Sequence, residues 1–160
     1  MEIYQDLGFL IFGSRLRRMS EYYIAEVNKV YKDQDIEFEA SWFPVFYFLY
    51  HQEEVNMRNI ADQLQVSHSA ISQLVKNLRK KGLVDTRPYD KDRRQLIVEL
   101  TEKGDELMRQ TQPIWDSIAE SMNSIKESVP ATEYLLDAFN ALEMFFDETT
   151  LSSVILKNLK

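Results

Sequence analysis

The chain contains no cysteine. That absence removes disulfide scaffolds, thiolate zinc sites, catalytic thiols and thiol redox sensing together, and it fits a cytoplasmic protein. Glycine is scarce, with four in 160 residues, and none stands in a loop that would cradle a phosphate. The two histidines, His51 and His68, have no carboxylate at ligand spacing, so neither a metal nor any other cofactor is expected. No HExxH, GxSxG or P-loop spacing occurs, and an enzyme is not expected either. Long apolar runs are missing too. The longest, 43–50, is far too short to span a bilayer, and the N-terminus places acidic residues before basic ones, the reverse of a secretory signal.

What is present is an apolar fraction of 44% and an aromatic fraction of 12%, enough for an ordered protein with a real core. The net charge of −7 argues against a general polyanion binder, but the charges are not evenly spread. Residues 57–104 hold ten Lys/Arg against six Asp/Glu, while the rest of the chain holds nine against twenty. An acidic body with one basic module would repel phosphate except where that module leads.

Helical spacing of Leu7, Leu10, Ile11, Leu16, Met19, Tyr23, Ile24, Val27 and Val30 predicts helix over most of 2–31. A polar connector, 32–39, follows, with Ile36 and Phe38 as anchors. The next helix is expected over 41–51, with Ser41 as its cap and Pro44 in its first turn. Asn56 then caps a short helix, 57–64, and Ser67 caps another, 68–81, whose apolar stripe is Ile71, Leu74, Val75 and Leu78. Gly82 supplies the stop. Strands are expected at 83–87 and 96–100 around the polar tip PYDKDRRQ. Thr101 and Glu102 open a long helix in which Pro113 predicts a kink or break. Further helices are expected at 131–146 and in the tail, 149–160.

The order of these parts is a helix-turn-helix followed by a hairpin wing. The segments IADQLQVSHSAISQLVKNLRKKGLV and DRRQLIVELTEKG resemble the MarR family of bacterial transcription regulators. Asp92, Arg93 and Arg94, then Leu100, Thr101 and Gly104, match the family's wing and exit. The specific motifs lie within 60–104, and the resemblance extends over essentially the whole chain. It implies a mainly α fold with a small β-hairpin wing, in which 1–160 is one MarR-like domain. Within it, 41–104 would form the winged helix-turn-helix DNA-binding lobe, while 1–40 and 105–160 would form the helical dimerisation region. It also implies a homodimer on double-stranded operator DNA, acting as a repressor that responds to a small aromatic or phenolic ligand.

The residues themselves support DNA contact. With the apolar stripe buried, helix 68–81 presents His68, Ser69, Ser72, Gln73 and Lys76 on its other face. Short hydroxyls permit close approach to a major groove, Gln73 can pair with adenine, and Lys76 can reach phosphate or guanine. In the wing, the resemblance assigns Arg94 to the minor groove. Lys91 and Arg93 are candidates for backbone phosphates, and anionic Asp92 would hold the arginine in place. A winged helix can instead serve as a protein-interaction module without binding DNA, and the chain's acidity leaves that alternative open.

Family resemblance also implies an effector crevice. Met19, Tyr22, Tyr23, Trp42, Phe43, Phe46, Tyr47 and Trp115 are its candidate lining, with Arg15 or His51 as polar anchor. The same aromatics can equally be plain core.

Overall fold

The computed structural model describes residues 3–52, 55–90 and 92–159, leaving aside the side chains of Ile3 and Gln5. It forms two compact units, Met1–Trp115 and Asp116–Lys160.

In the first unit, α1 (Ile3–Asp6) and a 3-10 turn (Gly8–Ile11) precede α2 (Phe12–Asp33). The helix expected over 2–31 is interrupted because Gly8 adopts φ +49°, which a right-handed helix cannot continue through. A second 3-10 turn (Ala40–Trp42) leads into α3 (Phe43–His51). Ser41 therefore lies inside that turn and does not cap α3, which has no side-chain cap; Pro44 occupies the first turn as expected.

Next come β1 (Val55–Asn56), α4 (Met57–Gln63), α5 (His68–Lys80), β2 (Val84–Tyr89), β3 (Asp92–Leu100) and α6 (Glu102–Ser128). The strands form one antiparallel sheet in the order β1-β3-β2, with Val55 opposite Val98 and Val84 opposite Leu100. Two residues are too few for β1 to show an alternating pattern, so sequence reading missed it. The hairpin is also longer than expected: Asp92, Arg93 and Arg94 belong to β3, not to a polar loop.

Helix α6 runs unbroken through Pro113. A proline forfeits one hydrogen bond, and here Met108, Thr111, Ile114 and Trp115 bury that stretch of the helix, which offsets the loss. Beyond α6, a 3-10 turn (Pro130–Thr132) precedes α7 (Leu135–Glu148), which starts later than expected, and α8 (Leu151–Asn158) follows.

The core of the first unit is aromatic at one end and aliphatic at the other. The Phe38 ring lies 5.0 Å from those of Tyr31 and Phe46, 5.5 Å from Trp42 and 5.9 Å from Trp115. Ile60, Ile71, Val75, Leu78, Leu83, Ile97 and Val98 bury the sheet and the helix-turn-helix. In the second unit the described residues present a contrast: from 116 to 159 none is buried.

Candidate nucleic-acid interface

Local chemistry fixes the helix-turn-helix. Asn56 Oδ1 accepts the Asn59 N–H at 2.8 Å and Ser67 Oγ accepts the Ala70 N–H at 3.2 Å, so both helices start where a short polar side chain satisfies a free donor. Between them, Gln65 takes a left-handed conformation (φ +52°), and the Val66 N–H returns to the Ala61 carbonyl at 3.0 Å. Ile71, Val75 and Leu78 are buried, while Leu74 is half-buried. The reverse face of α5 carries His68, Ser69, Gln73 and Lys76, all exposed, with Ser72 half-buried beside them. Gln73 donates to Asn77 Oδ1 at 3.0 Å, an i,i+4 pair that sequence reading overlooked and that holds the Gln73 amide along the helix.

At the far end of α5, Gly82 (φ +71°) reverses the chain. Lys81 donates to Glu37 at 2.8 Å and sits 5.3 Å above the Trp42 ring. That ammonium holds the Glu37 carboxyl below its ordinary pKa, and the carboxylate in turn raises that of Lys81. Arg79 reaches Asp85 on β2 at 3.3 Å.

The wing exit explains its Leu-Thr-x-x-Gly pattern. Thr101 Oγ1 donates to the Gly82 carbonyl at 2.6 Å and accepts the Gly104 N–H at 3.1 Å, so one hydroxyl ties the end of α5 to the start of α6. A Cβ on Gly104 would lie 2.1 Å from the Leu83 carbonyl oxygen, closer than any side chain can stand.

At the wing itself, Asp92 Oδ1 accepts the Arg94 backbone N–H at 3.1 Å, and Asp92 Oδ2 accepts Gln95 Nε2 at 3.2 Å. The carboxylate grips the arginine's backbone, leaving its guanidinium outward. Arg93 and Arg94 are exposed, and neither forms an ion pair among the described residues. Lys91, also expected to contribute, lies outside the described residues.

The effector candidates fall into three groups. Trp42, Phe46 and Trp115 are buried in the aromatic core, where Trp115 Nε1 donates to the Tyr31 hydroxyl at 2.8 Å. Phe43, Tyr47 and His51 form an exposed ladder along α3, with ring centres 5.6 Å and then 4.3 Å apart, and Phe43 also meets Trp115 edge-on at 4.7 Å. Arg15, Met19, Tyr22 and Tyr23 stand exposed on α2. A cleft of about 460 Å³ is bordered by Leu49, Tyr50, Gln52, Arg87, Val98, Glu99, Leu100 and Asp105, and it includes none of these candidates.

Comparisons with known proteins point to the same module. The MarR family model matches residues 36–95, which span the connector, the helix-turn-helix and the wing through Gln95. The chain is 23% identical to the HTH-type transcriptional regulator MgrA of Staphylococcus aureus, over 91% of this chain and 92% of that one. Residues 36–95 of the chain thus resemble the MarR family. The same architecture recurs in solved structures. A DNA complex of Staphylococcus aureus MepR superposes with a TM-score of 0.68 at 20% identity, covering 86% of this chain and 98% of that one. PcaV of Streptomyces coelicolor, in complex with its natural ligand, gives 0.65 at 20% identity, covering 84% and 91%. These two likenesses establish the winged-helix fold. No helix among the described residues is long and apolar enough to cross a membrane.

Proposed function

We propose that the chain is a sequence-specific, double-stranded DNA-binding transcriptional regulator that acts in the cytoplasm. The observation that carries this reading is the pairing of two surfaces on one module. The exposed face of α5 offers Ser69, Gln73 and Lys76, and the wing offers Arg93 and Arg94, which form no ion pair among the described residues. The DNA complex of MepR supports the same use of the fold. In this arrangement α5 enters the major groove, Arg94 the adjacent minor groove and Arg93 a phosphate. We assign Lys91 to phosphate with Arg93.

The active form is a homodimer built from residues 1–40 and 105–160. Supporting this, the second unit buries nothing among its described residues, and Leu136, Met144, Leu156 and Leu159 are each at least two-thirds exposed. So large an apolar surface is a mark of an association site. Two lobes would then read half-sites about one helical turn apart, roughly 34 Å. The regulator acts as a repressor released by a small aromatic ligand; the ligand complex of PcaV and the exposed Phe43–Tyr47–His51 ladder support this. Saturable quenching of Trp42 and Trp115 by a salicylate-like compound is the expected response, and no response from any candidate would leave a ligand-free regulator.

Selection of bound sequences from a random duplex library tests the main reading. A pseudo-palindrome is expected, bound with an affinity that falls steeply with salt as counterions are released. Salt-insensitive capture of a protein, with no duplex recovered, would favour the interaction-module alternative.

A further inference from the structure

Strand β3 is poorly held where it matters most. Pro88 lies opposite Leu96, but the next pair is Tyr89 with Asp92, so among the described residues Arg93, Arg94 and Gln95 have no partner across the hairpin. Pro88 also lacks an N–H to donate. The ladder therefore cannot set the position of the wing arginine, and a run of side chains replaces it. Asn56 Oδ1 accepts the Asn59 N–H at the start of α4, and Asn56 Nδ2 donates to Gln95 Oε1 at 2.9 Å. Gln95 Nε2 donates to Asp92 Oδ2, and Asp92 Oδ1 accepts the Arg94 N–H. The contact is possible because β1 places Asn56 opposite Ile97, which makes Gln95 its diagonal neighbour on β3.

We propose that Asn56, Gln95 and Asp92 form a polar relay that positions Arg94 relative to the helix-turn-helix, so that wing and recognition helix meet DNA as one rigid reader. This rests on the DNA-binding reading above. The relay has a fixed direction. Its α4 end is a backbone donor, which must face an oxygen, and its wing end is a carboxylate, which only accepts. Each amide between them is therefore held in one orientation.

That direction makes the relay testable by reversal. In Asn56→Asp the cap survives, because aspartate caps as well as asparagine. Gln95 then faces an oxygen-only group on both sides, and one contact must fail. In Asp92→Asn, one residue must now serve two donors with a single oxygen, and again one contact fails. In the double variant the two backbone contacts at the ends keep their direction, and the two side-chain contacts return with theirs reversed. The new amide at position 92 would donate to Gln95, and Gln95 to the new carboxylate at position 56, at unchanged net charge.

Four proteins, the wild type, each single variant and the double, are compared in two measurements. The first is the {1H}-15N heteronuclear NOE of residues 93–95 without DNA. The second is fluorescence anisotropy with a duplex selected by the wild type. Each single variant is expected to loosen the three amides and to weaken DNA binding about fivefold, the value of one typical hydrogen bond. The double variant should recover both within about twofold, a coupling that additive effects cannot produce. Asp92→Asn is the decisive arm, because charge alone predicts tighter binding when an anion leaves the interface. Tighter binding by that variant, or a double variant no better than the singles, would overturn the proposal. A wild type that binds no duplex would instead sink the DNA-binding reading, and the amide measurements would then judge the relay alone.

Discussion

Gly104 illustrates how a single residue is fixed by what stands next to it. Glycine is present because α6 begins against the Leu83 carbonyl, not because its backbone needs a glycine conformation: a Cβ would meet that oxygen at 2.1 Å and Leu100 Cδ2 at 3.2 Å. Gly104→Ala must push α6 away from β2 and strain the Thr101 contacts, and urea unfolding is expected to show a loss of about 3 kcal/mol. Tyr31 is fixed differently. Its hydroxyl is the acceptor for buried Trp115 Nε1, and burial raises its phenol pKa above the ordinary 10.0 while the Trp115 hydrogen bond opposes the rise. Tyr31→Phe leaves the indole donor unsatisfied and should cost about 1–3 kcal/mol. The sign of the pH effect follows from the raised value. Stability from the protonated phenol is complete below about pH 10 and is lost as pH rises through the folded pKa, so the wild type should weaken there. Tyr31→Phe should lack that component in pH-jump unfolding. From the sequence, Phe38 was legible as an anchor and the aromatics were legible as either core or pocket. Which of them became core depended on a ring cluster drawn from five segments.

For the elements, legibility followed the range of the signal. Caps at Asn56 and Ser67, the stop at Gly82 and the stripe on α5 all act within a few residues, and each reads directly from neighbouring letters. Ser67→Ala is expected to cost about 1 kcal/mol, seen as a lower thermal midpoint without a change in fold. By contrast, β1 exists only because β3 lies beside it, and the wing strands extend to Tyr89 and Asp92 because pairing resumes there, after a break in register, beyond the segments with strand-like composition. Ser41 failed as a cap because the preceding 3-10 turn already carries the chain into α3. The wing also carries a prediction about binding. Arg94→Ala removes the side chain proposed for the minor groove and should weaken operator affinity at least tenfold in a gel-shift titration, an effect of the size expected for a specific base contact. Unchanged affinity would take the wing out of the interface.

Across the whole molecule, charge and exposed apolar surface divide the work. The net −7 arises outside the basic reader, so DNA affinity should fall steeply between about 50 and 200 mM salt, with a slope that reports how many phosphates Lys76, Arg93 and their neighbours neutralise. The uncovered faces of α7 and α8 predict association. The wild type is expected to sediment as a dimer and a Leu136→Glu, Met144→Glu double variant as a monomer, and an unchanged sedimentation coefficient would move the interface elsewhere. By itself the sequence determined the helix-turn-helix, the wing and the face of α5, because periodicity, caps and turn residues are local and each carries its own physics. Tertiary structure alone decided that Trp42, Phe46 and Trp115 pack as core, that Gly104 lacks room for a methyl group, and that Gln95 links Asn56 to Asp92. Those outcomes depend on distances between segments far apart in the chain, and no spacing along the sequence encodes them.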